Sequence, residues 1–361
     1  MKVTGIIVEY NPFHYGHLHH IEEARRLTEP DVLVAVISGN YCQRGDLSVM
    51  DKFAKTRAAL SHGVDLVIEI PFLNTVQNAY VFGKTAVDLL DQIGADHIVF
   101  GSETNNLEEL KQYADLEVDV TRLKELMREG DSYPKAYGLL SSALFPNDIL
   151  AVTYLKAMKD TAIIPVSIPR TNDYHSLELR DIASAAAIRS ALMKGEDVSR
   201  FTPCDIEDPV FLKDLYPYIR NILITTPSEE LSEIFLMSEG IENLLKKNAE
   251  THADFEKFMT YSVSRRYTRS RIQRILLMTA GHIRKKDVPK DAETYLRVLG
   301  FNEKGRELLR NKKEDVSILT QFKTLPEDVK EIEWKMTLLY ASLHKDPETI
   351  VKEELRGPLI V

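Results

Sequence analysis

Ile6-Ile7-Val8-Glu9-Tyr10-Asn11-Pro12-Phe13-His14-Tyr15-Gly16-His17, near the start of a 361-residue chain, decides how the rest is read. The run Val3–Tyr10 is nearly continuous in apolar residues, as expected of a strand buried on both faces. Asn11-Pro12 ends it in a tight turn, and His14-x-Gly16-His17 follows at the head of a helix. In a doubly wound α/β sheet, that turn lies at the carboxyl edge of the strands, where ligands bind. A helix N-terminus there offers free N–H groups and a positive dipole end to phosphate. Gly16 lacks a Cβ, so a base or ribose can approach the backbone closely. His14 and His17 share a helix face, where two imidazoles can donate hydrogen bonds to a charged phosphoryl group in a transition state. The same residues also suit a surface His pair beside a turn. The preceding strand and Asn-Pro-Phe make the match specific.

Further along, β-rich runs alternate with helical stretches up to about residue 195. The strands are expected at Val3–Tyr10, Asp31–Ser38, Leu66–Phe72, His97–Gly101 and Ile163–Pro169. Between them lie helical patterns near 17–28, 51–62, 79–93, 106–128 and 147–159. This order predicts an α/β fold, a doubly wound parallel sheet with right-handed crossovers. After Gly195 the strands stop in this reading, and residues 207–361 form helical segments broken by Pro and Gly. The boundary falls near 195–206. It divides a nucleotide-binding domain, 1–200, from a mostly helical C-terminal domain, 201–361.

Composition is that of an ordinary globular protein, with 44% hydrophobic and 28% charged residues. The net charge of −9 argues mildly against nucleic acid, although a local basic stripe can bind RNA on an acidic protein. Two isolated cysteines, Cys42 and Cys204, exclude a disulfide framework and a thiolate zinc site and suit a reducing, cytoplasmic setting. No apolar run is long enough for a bilayer span, and the N-terminus lacks a signal-peptide pattern. Neither a membrane partner nor a dedicated metal site is expected, and no pattern sets an oligomeric state. His19 with Glu23 one turn later forms no recognisable ligand set. Gly83-Lys84-Thr85 resembles the end of a P-loop but lacks the upstream Gly and reads as helix interior.

Two charged segments remain. Gln43-Arg44-Gly45-Asp46, with Lys52 and Arg57 beyond it, follows the second strand. Arg44 or Lys52 there suits a carboxylate or an RNA phosphate, or an exposed charged loop. From Lys257 to Lys286 there is no Asp or Glu. The candidates for RNA phosphates are Arg265, Arg266, Arg269, Arg271 and Arg274, with Tyr261 and Tyr267 placed to stack on bases. Ile272, Ile275 and Leu276 share a core face, with Arg274 roughly opposite. The other reading of this stretch is a solvated face balanced by acidic neighbours in space.

Taken with its motifs, the first segment resembles the HxGH nucleotidyltransferase superfamily. The chain more closely resembles the bacterial tRNA(Met) cytidine acetate ligase family. The resemblance covers nearly the whole chain through EYNPFHYGHLHHIEEAR, SGNYCQRGD, DKFAKTRAAL, VFGSE, FPNDILAVTYLKA, IPRTNDYH, IASAAAIRSAL and SRRYTRSRIQRILL. It implies a Rossmann-like catalytic domain and an enzyme that adenylates acetate with ATP and releases pyrophosphate. The acetyl group then passes to the wobble cytidine N4 of elongator tRNA(Met). Magnesium is expected to shield the triphosphate. The resemblance places Ile7-Val8-Glu9-Tyr10-Asn11-Pro12-Phe13-His14-Tyr15-Gly16-His17-Leu18-His19-His20 in the ATP site, with Gly101, Asn147 and Arg170. If the strand order follows the superfamily, strands 1 and 4 are neighbours and Gly101 faces the first turn. Asn147 would open a helix, where it could also serve as N-cap, and Arg170 would end strand 5. Ser184, in a segment where alanines replace the superfamily's hydroxyls, is a further phosphate contact. Two rivals stay open: a small-molecule adenylyltransferase of the same fold, and a non-catalytic RNA-binding protein that senses nucleotide.

Overall fold

The computed structural model describes residues 1–116, 121–122, 125, 129, 145–170, 183–289 and 295–361. Five parallel strands form its centre: β1 (Val3–Val8), β2 (Val32–Ser38), β3 (Leu66–Ile70), β4 (His97–Ser102) and β5 (Ile164–Pro169). Three further strands complete the sheet: β6 (Leu296–Phe301), β7 (Ile318–Leu319) and β8 (Leu359–Ile360). The order is β5-β4-β1-β2-β3-β6-β7, with β8 paired to β6. The winding reverses between β1 and β4, so the carboxyl ends of those two strands open a crevice.

The strands are apolar on both sides because helices cover both faces. Val34, Ile68 and Ile98 pack under the helices Ala79–Ile93 and Pro146–Met158 on one face. Ile6, Ala35 and Val67 pack under Tyr15–Thr28 and Lys52–Ser61 on the other. A third apolar cluster joins Leu223, Ile275 and Leu276 of the later helices to Tyr41, Leu47 and Phe72. Residues on either side of the expected division at 200 thus share one apolar core.

All five expected strands form. The expectation that strands stop after Gly195 is corrected by β6, which joins β3 antiparallel and makes the sheet mixed. Leu296–Phe301 is a six-residue run buried on both faces, and such a run carries no period that separates strand from helix. Of the helix expected over 106–128, Leu107–Asp115 is described; residues 117–120 and most of 123–128 lie outside the described residues, as do 171–175 of the IPRTNDYH motif and Ile182 of IASAAAIRSAL.

Candidate active site

The turn after β1 is built around left-handed backbone at Tyr10 (φ 48°), whose ring is fully buried against Phe13 and His17. Asn11 fastens this turn to the loop after β2. Its amide donates to Cys42 Sγ (3.1 Å) and Leu47 O (3.3 Å), and its Oδ1 accepts from Val49 N (2.9 Å). Arg189 Nη1 donates to Asn11 O (2.6 Å), and Thr202 Oγ1 donates to Phe13 O (2.7 Å).

His14 is the N-cap of the helix Tyr15–Thr28. Its Nδ1 accepts from Gly16 N (3.0 Å), while His17 Nδ1 accepts from His14 N (3.3 Å). A neutral imidazole carries one proton, so both rings hold theirs on Nε2 and keep one N–H donor each. Burial lowers the His14 pKa to about 3, helped by Arg170 and Arg189. Burial, then His14, holds His17 well below its ordinary value. The pair, with ring centroids 4.0 Å apart, is therefore two neutral hydrogen-bond donors at neutral pH. His20 is also held down, to about 4, chiefly by burial, and its Nε2 lies 3.0 Å from Val99 O of β4.

These groups line a cleft of about 570 Å³. From the first segment it takes Ile7, Val8, Glu9, Tyr10, Asn11, His14, Gly16, His17, His19 and His20, and it is joined by Gly101, Asn147, Arg170 and Ser184. Pro12, Phe13, Tyr15 and Leu18 are not on its wall; Phe13 is fully buried beneath the turn. Gly101 is the next-to-last residue of β4, where an added Cβ would lie 3.4 Å from Arg170 Cγ. Ser184 is the N-cap of the helix Ala185–Met193, accepting from Ala187 N (3.1 Å). Asn147 does not cap its helix. Phe145 holds that position, with Pro146 first in the helix because proline suits the first turn.

Several charged candidates prove to be engaged elsewhere. Lys52 is buried in an ion pair with Glu69 (2.9 Å) and Glu354 (2.6 Å), so it meets no ligand. Arg57 pairs with Glu353, and Glu23 with Arg26. In the basic stretch, Arg266 and Arg271 face Glu239 (3.6 and 3.0 Å), and Arg269 faces Glu256 (2.8 Å). Tyr267 is buried, with its hydroxyl donating to Glu239 O (2.8 Å), so it is not available to stack on a base. Tyr261 is 63% exposed and lies flat against His252. Arg274 turns from solvent toward the loop after β2, with Nη1 3.5 Å from Gln43 O. Gly45 (φ 82°) permits this contact, since an added Cβ would lie 2.3 Å from Arg274 N. Arg265 remains exposed, as do Lys257, Arg284, Lys285 and Lys286.

Gln43, Arg44 and Asp46, from the charged segment after β2, do line the cleft, and Arg269 reaches it from the C-terminal half. Arg189, Ser270 and Gln273 line it as well, and the sequence reading gave them no place there. Burial raises the pKa of Asp46, against the nearby Arg189. Apolar Phe82, Phe100, Leu150 and Tyr154 form another part of the lining, next to Asn147. The spacing of Asn147, Leu150 and Tyr154 along one helix face was the signal that could have found it.

A crevice at the β1–β4 switch point, with HxGH at a helix N-terminus, defines a nucleotidyl transferase site. The model of the HIGH Nucleotidyl Transferase family matches residues 1–354. A tRNA(Met) cytidine acetate ligase of Limosilactobacillus reuteri is 36% identical over 345 residues, 88% of this chain and 89% of that protein. One from Fusobacterium nucleatum is 37% identical, covering 93% and 92%. The chain belongs to the HIGH nucleotidyl transferases and, among them, to the tRNA(Met) cytidine acetate ligase family. The crystal structure of Thermotoga maritima TmcAL bound with alpha-thio ATP superposes with a TM-score of 0.85 at 30% identity, covering both chains fully. Its apo form gives 0.88 at 28% identity, again over both full chains. Among the described residues, no helix is long and apolar enough to cross a membrane.

Proposed function

We propose that this protein is an ATP-dependent ligase that activates acetate as acetyl-adenylate and acetylates N4 of a cytidine in tRNA(Met). The observation that carries the chemistry is the pair of neutral Nε2–H imidazoles, His14 and His17, on the wall of the cleft beside Arg170. In the first half-reaction an acetate oxygen attacks the α-phosphorus, and the bond to pyrophosphate breaks. His14 and His17 donate to the phosphoryl oxygens as charge builds, with Arg170 and Arg189 supplying positive charge nearby. In the second, the cytidine amine attacks the acetyl carbonyl, AMP leaves and the nitrogen loses a proton. Holding amine and adenylate together provides much of the acceleration of that step.

Magnesium accompanies ATP in this reading. Glu9 and Asp46, the acidic side chains on the cleft wall among the described residues, would hold such an ion, which would shield the triphosphate charge. The tRNA lies over the C-terminal helices, where Arg265, Lys257, Lys285 and Lys286 are exposed and Arg266, Arg269 and Arg271 can exchange their carboxylate partners for phosphates.

The test is pyrophosphate release from ATP with and without acetate, followed by transfer of labelled acetate to tRNA. Acetate-dependent release with label in tRNA is expected. Release driven by a phosphorylated metabolite instead would place the protein among the small-molecule adenylyltransferases. His14→Ala should slow acetate-dependent release by about 10²- to 10³-fold, the range for losing one such donor. Normal turnover in that variant would remove His14 from the mechanism.

A further inference from the structure

The helix Pro146–Met158 enters the cleft without a capping bond from its own N-cap residue. Glu103, in the loop after β4, supplies one. Its Oε2 accepts from Asp148 N (3.1 Å) and its Oε1 from Asn147 N (3.3 Å). Oε1 also accepts from Asn147 Nδ2 (2.6 Å). Asp148 answers from the helix, accepting from Glu103 N (3.0 Å), Ser102 Oγ (2.5 Å) and Thr104 Oγ1 (2.7 Å). Loop and helix end are thus locked together by two carboxylates.

Two consequences follow. First, a protein carboxylate already occupies the positive end of this helix, so a triphosphate is repelled from it. The phosphates are left to the part of the cleft where Arg170 and Arg189 face the histidines, and the purine to the part lined by Phe100, Leu150 and Tyr154. Second, an ionised carboxylate only accepts, so the Asn147 atom beside it must be the nitrogen. The amide cannot turn over. Its Oδ1 has no hydrogen-bond partner among the described residues, and Asn147 lines the cleft.

We propose that Asn147 reads the 6-position of the purine with Oδ1, and that Glu103 is the positioning residue that fixes this polarity and so selects ATP over 6-oxo purine nucleotides. Adenine presents an N–H donor at that position. Guanine and hypoxanthine present an oxygen, which meets Oδ1 acceptor to acceptor. A glutamine at position 103 that keeps its oxygen on Asp148 N turns its NH2 to the place of Oε1, where it gives up the longer bond from Asn147 N and donates to the Asn147 amide oxygen, so that Asn147 flips and can donate to a 6-oxo group. The inference rests on the ligase reading for the identity of the nucleotide, and its test is kept separate from turnover.

The experiment is calorimetric binding of ATP and of ITP, without acetate, to the wild type, Glu103→Gln and Asn147→Ala. The wild type should favour ATP by about tenfold or more, the scale for one matched hydrogen-bonding edge against a mismatched one. Glu103→Gln should bring the two affinities to within about threefold, mainly by improving ITP. Asn147→Ala should also bring them together, by weakening ATP, and it leaves the Glu103 bond to Asp148 N in place should Glu103→Gln fail to fold. An ATP preference kept at the wild-type ratio in the variants, or a wild type that binds both nucleotides alike, overturns the inference. Acetate-dependent pyrophosphate release by the same wild-type protein reports separately on the ligase reading. Its absence alongside a Glu103-dependent ATP preference would sink that reading alone.

Discussion

The cleft and the seam between β3 and β6 both bury ionisable side chains, and they reduce the cost of doing so in opposite ways. In the cleft, burial keeps His14, His17 and His20 neutral. In the seam, charges are kept and paired. Lys52 lies between Glu69 (2.9 Å) and Glu354 (2.6 Å), and Arg297 Nη2 reaches Glu354 Oε1 (3.1 Å). Burial alone would lower the Lys52 pKa, but Glu354 and Glu69 hold it above its ordinary value. Glu333, beside this cluster, is the exception that resembles the cleft: burial, then the charge of Glu69, raises its pKa to about 8, which favours its neutral form, and its Oε1 accepts from Phe72 N (2.7 Å). The difference follows from what each region must do. A neutral imidazole can meet an incoming anion as a donor, whereas the closed ion pairs serve to fix Glu354, from the C-terminal segment, to Lys52 and to Arg297 of β6.

The largest effect should come from opening the seam. Glu354→Ala leaves Lys52 and Arg297 buried without their shared partner, and losing one member of a buried pair costs about 3–5 kcal/mol. Denaturant unfolding of this variant against the wild type measures it. A loss below about 1 kcal/mol would mean that the seam is not held by its charges.

The cleft should respond to pH with a definite sign. Unfolded His14 takes up a proton below its ordinary pKa of 6.5, while folded His14 resists protonation down to about 3. The unfolded state therefore binds more protons in that window, and its contribution makes stability fall as the pH falls. One such group adds a slope of about 1.4 kcal/mol per pH unit. His14→Gln, which keeps an acceptor for Gly16 N, should lack this part of the slope. Denaturant midpoints of the two proteins between pH 6.5 and 4 give the difference, and parallel curves would show that His14 is not held neutral by the fold.

The smallest effect belongs to the surface. Arg271 and Glu239 are both partly exposed, so Arg271→Ala should change stability by less than about 1 kcal/mol. If this arginine meets a tRNA phosphate, the salt dependence of tRNA binding should lose about one unit of slope in the log–log plot. An unchanged slope would leave the arginine to its carboxylate.

Some of this was legible in the chain. The five parallel strands and the helix that opens at His14 come from local runs of apolar residues and a local turn, so nearby residues determine them. The neighbouring ends of β1 and β4 were expected from the resemblance, through the superfamily's strand order, and β1 does pair with β4, with Gly101 and Arg170 on the cleft beside the first turn. Tertiary structure decided what depends on distant partners. Leu296–Phe301 became an antiparallel strand because β3 offered a free edge. Lys52, which reads as a ligand for an anion, was claimed by Glu354 from the far end of the chain. Arg266, Arg269 and Arg271 found carboxylates that their own segment lacks. Asn147 acquired its orientation from Glu103, 44 residues earlier. Periodicity and turn residues set which elements form because those preferences act over a few bonds. Which charge is paired and which donor stays free is set by packing, because a buried polar group takes its partner from whatever the fold brings within reach.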